Sequence, residues 1–143
     1  MNTPKVIDCF DGEYAFLSNF YPAVVHFGQH TYLNSEAAFQ AQKCVHEYEM
    51  RQFCDLPPGK AKRLGRKVQL RSNWESIKDD IMYQVVRAKF SQHPNLWWQL
   101  RATEDAELIE GNTWGDRYWG AVNGVGENKL GRILMRIRSE LQL

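Results

Sequence analysis

Apolar positions recur at helical spacing in two long stretches. Ser72-Asn73-Trp74-Glu75 has the Ser-x-x-Glu form of a capping box, and Trp74, Ile77, Ile81, Val85 and Ala88 follow on one face, which predicts a long helix to about Ser91. Leu130, Ile133, Leu134, Ile137 and Leu141 keep the same period, which predicts a final amphipathic helix with Asn128 as its N-cap. Shorter helices are expected after Asn34 or Ser35, where Ala37, Ala38 and Ala41 favour helix, and over 46–53, stopped by Leu56-Pro57-Pro58-Gly59. Another is expected after Pro94, capped by Asn95 and running through Leu96, Trp97, Trp98 and Leu100. Strand patterns are fewer. Lys5-Val6-Ile7-Asp8-Cys9-Phe10 reads as a first strand closed by Asp11-Gly12, and Glu107-Leu108-Ile109-Glu110 as a last one. Val24-Val25-His26-Phe27 and His30-Thr31-Tyr32-Leu33 flank Gly28-Gln29, a hairpin with glycine at the first central turn position. Residues 14–22 are too aromatic for a solvated loop and too irregular for an amphipathic helix, so they predict an irregular buried segment. The expectation is an α+β fold, mainly helical with a small antiparallel sheet.

Length and composition narrow the class. The 143 residues suit one compact domain spanning 1–143, and 43% hydrophobic with 13% aromatic residues describes a globular chain. No apolar run approaches a membrane span, and Met1-Asn2-Thr3-Pro4-Lys5 lacks the basic-then-apolar pattern of an export signal. Cys9, Cys44 and Cys54 are odd in number without a Cys-x-x-Cys pair, which fits reduced thiols in a cytoplasmic protein. A net charge of +1 provides no global field for nucleic acid.

Candidate chemistry is local. Glu36, Gln40 and Lys43 stand at i, i+4 and i+7, placing three polar groups on one helix face with the outer two about 10 Å apart along the axis. On a generic helix that stripe is solvated, yet here the opposite face is mostly alanine, with little bulk to bury. Lys60, Lys62, Arg63, Arg66, Lys67 and Arg71 form the one basic patch. It lacks the interleaved aromatics of a single-strand platform, which favours a small phosphate over a nucleic acid strand. Thr113-Trp114-Gly115-Asp116-Arg117-Tyr118-Trp119-Gly120 combines aromatics, a carboxylate and glycines, and Gly124 and Gly126 lead into Asn128 and Lys129. This loop is expected either to brace a core or to line a pocket. Its helix start reads either as an anion site built from backbone N–H groups or as an ordinary capped helix with an exposed Lys129. His26, His30, His46 and His93 are scattered without zinc-ligand spacing, so no metal is expected. Neither a nucleophile elbow nor a dinucleotide Gly-x-Gly-x-x-Gly is present.

Several of these stretches resemble, in order and over nearly the whole chain, the YbiA-like (NADAR) family. They are Phe16-Leu17-Ser18-Asn19-Phe20-Tyr21-Pro22, Ser35-Glu36 with Phe39-Gln40-Ala41-Gln42-Lys43, Ala61-Lys62-Arg63-Leu64-Gly65-Arg66, Trp74-Glu75 with Lys78, Met82, and Lys89-Phe90. Leu108 with Glu110, Asp116 with Trp119-Gly120, and 124–131 with Leu134-Met135 and Arg138 complete the match. The resemblance implies an N-glycosidase without metal or redox cofactor. Members cleave the bond between ribose 5-phosphate and an aminopyrimidine in early riboflavin-pathway intermediates, and others remove ADP-ribose from guanine in nucleic acid. The implied partner is thus a phosphorylated ribosylamine small molecule, with ADP-ribosylated nucleic acid as the alternative; a non-catalytic ADP-ribose or nucleotide-binding module is a further reading.

The resemblance places a polar pocket on Asn19, Glu36, Gln40, Lys43, Arg66, Asp116, Trp119 and Asn128. Departure of the amine develops positive charge at C1′, so a carboxylate can stabilise that centre, protonate the leaving nitrogen or activate water. Glu36 is the first choice for that work and Asp116 the second. Lys43 offers a covalent route through a Schiff base with the opened sugar, if burial or neighbouring cations lower its pKa. Lys62, Arg66 and the helix start at Lys129 are expected to hold phosphate, Trp119 to stack on the base, and Gly120 beside it to belong to the substrate-binding residues. Carboxylates favour an enzyme over a sensor, because negative charge near the phosphates of a ligand does not help to bind it. Two departures from the family pattern stand out: Ala37 where many members carry His, and Ala121-Val122-Asn123 after Trp119-Gly120.

Overall fold

The computed structural model describes residues 3–141; Met1 and Asn2, part of the stretch read for an export signal, lie outside the described residues. In chain order the elements are β1 (Val6–Ile7), a 3-10 helix (Gly12–Leu17), β2 (Val25–Phe27), β3 (His30–Tyr32), α1 (Ser35–Ala41) and α2 (Glu47–Arg51). They continue with α3 (Pro58–Gly65), α4 (Trp74–Gln92), α5 (Pro94–Arg101), β4 (Glu107–Leu108) and α6 (Lys129–Glu140). The architecture is α+β and mainly helical. No helix among the described residues is long and apolar enough to cross a membrane. The chain forms two compact units, Asn19–Gln92 and the described parts of Met1–Ser18 with His93–Leu143.

In the Asn19–Gln92 unit, β2 and β3 pair antiparallel in the register Val25↔Tyr32, His26↔Thr31 and Phe27↔His30. Gly28 turns the hairpin at φ +62°, a left-handed conformation that favours glycine. The free side of β2 is closed by the side chain of Gln92, whose Oε1 accepts the His26 N–H at 2.8 Å and whose Nε2 donates to the His26 carbonyl at 2.7 Å. Of the two candidate caps for α1, Asn34 does the work: its Oδ1 accepts the Ala37 N–H at 2.7 Å. α1 packs against α3 and α4, and the Phe39 and Trp74 rings meet at 5.2 Å.

A proline read as a stop is a start, and another, expected ahead of its helix, lies in the first turn. Pro58 occupies the first turn of α3, so the basic segment is helical, and Pro94 opens α5 with His93, not Asn95, in the capping position. Proline suits the first turn because its missing N–H would have no intrahelical partner there. The long helix α4 has the expected extent but begins at Trp74, and Glu75 of the expected capping box pairs with Lys78 at 2.8 Å. Its buried face is also rotated from the expected one. Trp74, Met82, Val85, Val86, Lys89 and Phe90 are buried, while Ile77, Ile81 and Ala88 are half-exposed.

In the other unit β1 and β4 pair in parallel, Val6↔Glu107 and Ile7↔Leu108, so a separate parallel pair stands beside the expected small antiparallel sheet, which is the hairpin. Strands distant in sequence need no tight turn to join them, which permits the parallel arrangement. α6 lies on β4 with Leu130, Leu134 and Ile137 buried. A Cβ at Gly131 would collide with the Leu108 carbonyl, so glycine is what lets the two backbones touch. The irregular aromatic stretch is a 3-10 helix that buries Phe16 and Leu17, followed by turns. Cys44 is buried, Cys54 intermediate and Cys9 exposed, all as free thiols.

Candidate active site

All seven residues of α1 are buried, so the Glu36, Gln40 and Lys43 stripe lies inside the protein for most of its length. Glu36 is 8% and Gln40 6% exposed, and Gln40 Nε2 donates to Glu36 Oε2 at 2.6 Å. A carboxylate desolvated this far needs such a donor, since burial without partners is costly. Glu36 is held from its backbone as well. Its N–H donates to the Asn19 carbonyl at 3.1 Å, and Ser35 Oγ donates to Asn19 Oδ1 at 2.9 Å. Asn19 Nδ2 in turn meets Met82 Sδ at 3.3 Å, so this buried amide braces the start of α1.

The missing side chain at Gly65 brings α3 down onto α1. A Cβ there would overlap the Gln40 amide. Gln40 Oε1, packed on that glycine, has no hydrogen-bond partner among the described residues. Lys43 Nζ reaches the Gly65 carbonyl at 3.4 Å. Burial pushes the Lys43 ammonium below its ordinary 10.5; Glu36 opposes this, and the Arg66 and Lys78 cations add to the lowering. Glu36, Lys43 and Arg66 are thereby brought into one electrostatic cluster, with Lys78, for which no role was expected, as a further member. Lys62 Nζ lies 5.9 Å from the Phe20 ring centroid.

Periodicity missed Lys89. It is 1% exposed on α4, with Nζ 5.7 Å from the Tyr21 ring centroid and 5.1 Å from that of Phe90, and burial pushes its pKa down to about 7. The signal was present in the Lys89-Phe90 pair and in the spacing of Met82, Val85 and Lys89, which a lysine at the end conceals from any hydrophobic count.

The glycine-rich loop of the other unit is a hydrogen-bonded construction. Asp116 Oδ1 accepts the N–H groups of Tyr118 at 3.0 Å and Trp119 at 2.9 Å, while Asn112 grips Asp116 through its N–H at 3.0 Å and its carbonyl at 2.8 Å. Gly120 stands against the Glu110 carbonyl, where a Cβ would collide. Asn128 holds the expected cap position of α6, but its side chain does not cap the helix. It sits at φ 50°, ψ 44°, makes no capping hydrogen bond, and clamps β4 instead: Oδ1 accepts the Glu110 N–H at 2.9 Å and Nδ2 donates to the Leu108 carbonyl at 2.9 Å. The backbone anion site expected at the start of α6 is also filled from within. The N–H groups of Glu127, Asn128, Lys129 and Leu130 donate to the carbonyls of Arg117, Gly120, Tyr118 and Trp119 at 2.8, 3.1, 3.2 and 2.9 Å. The carbonyls of the preceding loop thus satisfy those donors from within the chain. Lys129 Nζ lies 5.0 Å from the Tyr118 ring, and Tyr118 and Trp119 meet edge to face at 4.9 Å. Trp119 is half-buried and Trp114 is exposed.

Together the elements define a mainly helical α+β protein with a buried acid–amide–amine row on α1. Residues 9–142 match the NADAR domain. The chain is 41% identical to the N-glycosidase YbiA of Shigella flexneri over 92% of its own length and 84% of that protein. It is 39% identical to a riboflavin biosynthesis protein of Vibrio vulnificus over 92% of its length, covering 37% of the larger relative. The NMR structure of the Escherichia coli protein YbiA superposes with a TM-score of 0.82 at 38% identity, covering 95% of this chain and 84% of that one. The chain belongs to the NADAR domain family.

Proposed function

We propose that this chain is a cytoplasmic N-glycosidase that hydrolyses the C1′–N bond of a ribosylaminopyrimidine 5′-phosphate and releases ribose 5-phosphate. The observation that carries the reading is the buried Glu36 carboxylate, oriented by Gln40 at 2.6 Å and electrostatically coupled to Lys43, whose proton is loosened by burial. The names of the relatives, an N-glycosidase and a riboflavin biosynthesis protein, support the same reaction and pathway.

The bond electrons leave with nitrogen, which takes up a proton, while water supplies the hydroxyl at C1′. Glu36 is the group that removes the proton from that water and stabilises the cationic carbon. The lowered pKa of Lys43 supports a second route, in which its free amine adds to C1′ of the opened sugar, expels the base amine and leaves a Schiff base that water hydrolyses. Arg66 and Lys62 are the proposed phosphate contacts in the Asn19–Gln92 unit, and Asn19 and Gln40 orient Glu36. In the other unit Asp116, Gly120 and Asn128 build the loop, and Trp119 and Lys129 are its proposed ligand contacts.

The test is release of free ribose 5-phosphate from ribosylaminopyrimidine 5′-phosphate, run beside ADP-ribosylated guanine. Turnover of the first is expected. Turnover of the second alone moves the function to reversal of a nucleic acid modification, and saturable ADP-ribose binding without turnover of either makes the chain a binding module.

A further inference from the structure

Placing an ammonium in a protein interior is costly unless its surroundings compensate, so the complete burial of Lys89 calls for a physical reason. Its Nζ lies within cation–π reach of two rings, at 5.1 Å from Phe90 and 5.7 Å from Tyr21. Phe90 is the next residue of α4 and travels with the helix. Tyr21 belongs to the irregular stretch ahead of β2, so this contact ties a loop to α4. The same stretch is tied at a second point, where Asn19 Nδ2 meets Met82 Sδ at 3.3 Å. Met82 and Lys89 stand two helical turns apart on one face of α4. Asn19 then carries α1, through Ser35 Oγ at 2.9 Å and the Glu36 N–H at 3.1 Å. A short path of contacts runs from Lys89 to Tyr21, along the backbone to Asn19, and on to the backbone of Glu36.

We propose that Lys89 is a positioning residue: by gripping the Tyr21 ring it seats the Asn19 stretch on α4, and so fixes the start of α1 and the aim of the Glu36 carboxylate. An apolar side chain of equal length fills the same space without attraction to the ring face. The catalytic part of this inference rests on the N-glycosidase reading; the positional part does not.

The experiment compares wild type, Lys89→Met and Tyr21→Leu at about pH 6.5 by amide hydrogen exchange and by hydrolysis of ribosylaminopyrimidine 5′-phosphate. The Glu36 amide, bonded to Asn19 and to no carbonyl of its own helix, reports the seat directly. In both variants its exchange is expected to accelerate about tenfold, the size of one desolvated cation–π contact, while the α4 amides of Val85 and Val86 keep their protection. kcat is expected to fall about tenfold with KM within about twofold, and the double variant to be no worse than either single one, because both act through one contact. Unchanged Glu36 exchange in the folded variants overturns the inference, as does full kcat beside accelerated exchange. If exchange accelerates and not even the wild type turns over substrate, the seat stands and the N-glycosidase reading fails. Should Lys89→Met fail to fold, Tyr21→Leu carries the same outcomes.

Discussion

Replacing Asn128 by alanine removes two hydrogen bonds and an accommodating backbone at once. The residue sits in the left-handed region at φ 50°, ψ 44°, which asparagine tolerates better than alanine by on the order of 1 kcal/mol. Its side chain satisfies the Glu110 N–H and the Leu108 carbonyl, both at 2.9 Å and part-buried. Leaving each unpaired costs about 1 kcal/mol, the low end of the range because water retains some access. Asn128→Ala is therefore expected to lose about 3 kcal/mol, and Asn128→Gly, which restores the backbone freedom alone, about 2 kcal/mol. Urea unfolding followed by tryptophan fluorescence measures both, with Trp97, Trp98, Trp114 and Trp119 in the same unit as Asn128. An alanine that costs less than about 0.5 kcal/mol while substrate affinity drops contradicts this role, for then the amide serves the ligand and not β4.

At Gly65, an alanine would drive its methyl into the Gln40 amide; Gly65→Ala is expected to cost about 1–3 kcal/mol in thermal or urea unfolding and to depress turnover by displacing Gln40 from Glu36. An alanine that is neutral in both assays contradicts the packing account. For Lys43, the free amine becomes available at a lower pH than for an exposed lysine, so on the covalent route the rate rises with pH through that lowered pKa. Arg66→Gln removes a cation that helps lower it and moves the limb upward; borohydride then fixes sugar to Lys43, and neither effect is seen if hydrolysis is direct. Lys89 has a folded pKa of about 7 against an ordinary 10.5, so the folded protein binds fewer protons than the unfolded chain between these values. Its burial penalty is fully present below about pH 7 and fades as pH rises to 10.5, a term on the order of 5 kcal/mol at most. Lys89→Met removes it, so the urea stability of the variant minus that of wild type is expected to shrink from pH 7 to pH 9; parallel curves contradict the assignment.

Much of this protein was legible from periodicity because the responsible forces are local. The α4 and α6 patterns, the Gly28 turn and the Asn34 cap each follow from residues a few positions apart. The misreadings share a cause in distant contacts. Pro58 looks the same as a helix breaker and as a helix starter, and only the chain beyond it decides which. Asn128 has the chemistry of a cap, but β4, brought to it by folding, offers its amide two better partners. The α1 stripe showed its spacing and not its burial, since burial comes from Gly65 letting α3 close over Gln40. Lys89 was hidden because a lysine counts as polar in any hydrophobic pattern, whereas its surroundings are set by Tyr21, far away in sequence. The parallel pairing of β1 with β4 involves two residues from each strand and leaves no local trace.

The role of Glu36 is tested most directly by Glu36→Gln, which keeps the size of the side chain and a polar group for Gln40. Its kcat for ribosylaminopyrimidine 5′-phosphate is expected to fall by about 10³-fold or more while the affinity for ribose 5-phosphate stays within about threefold of wild type. Turnover within about tenfold of wild type contradicts the assignment of Glu36 as the catalytic carboxylate.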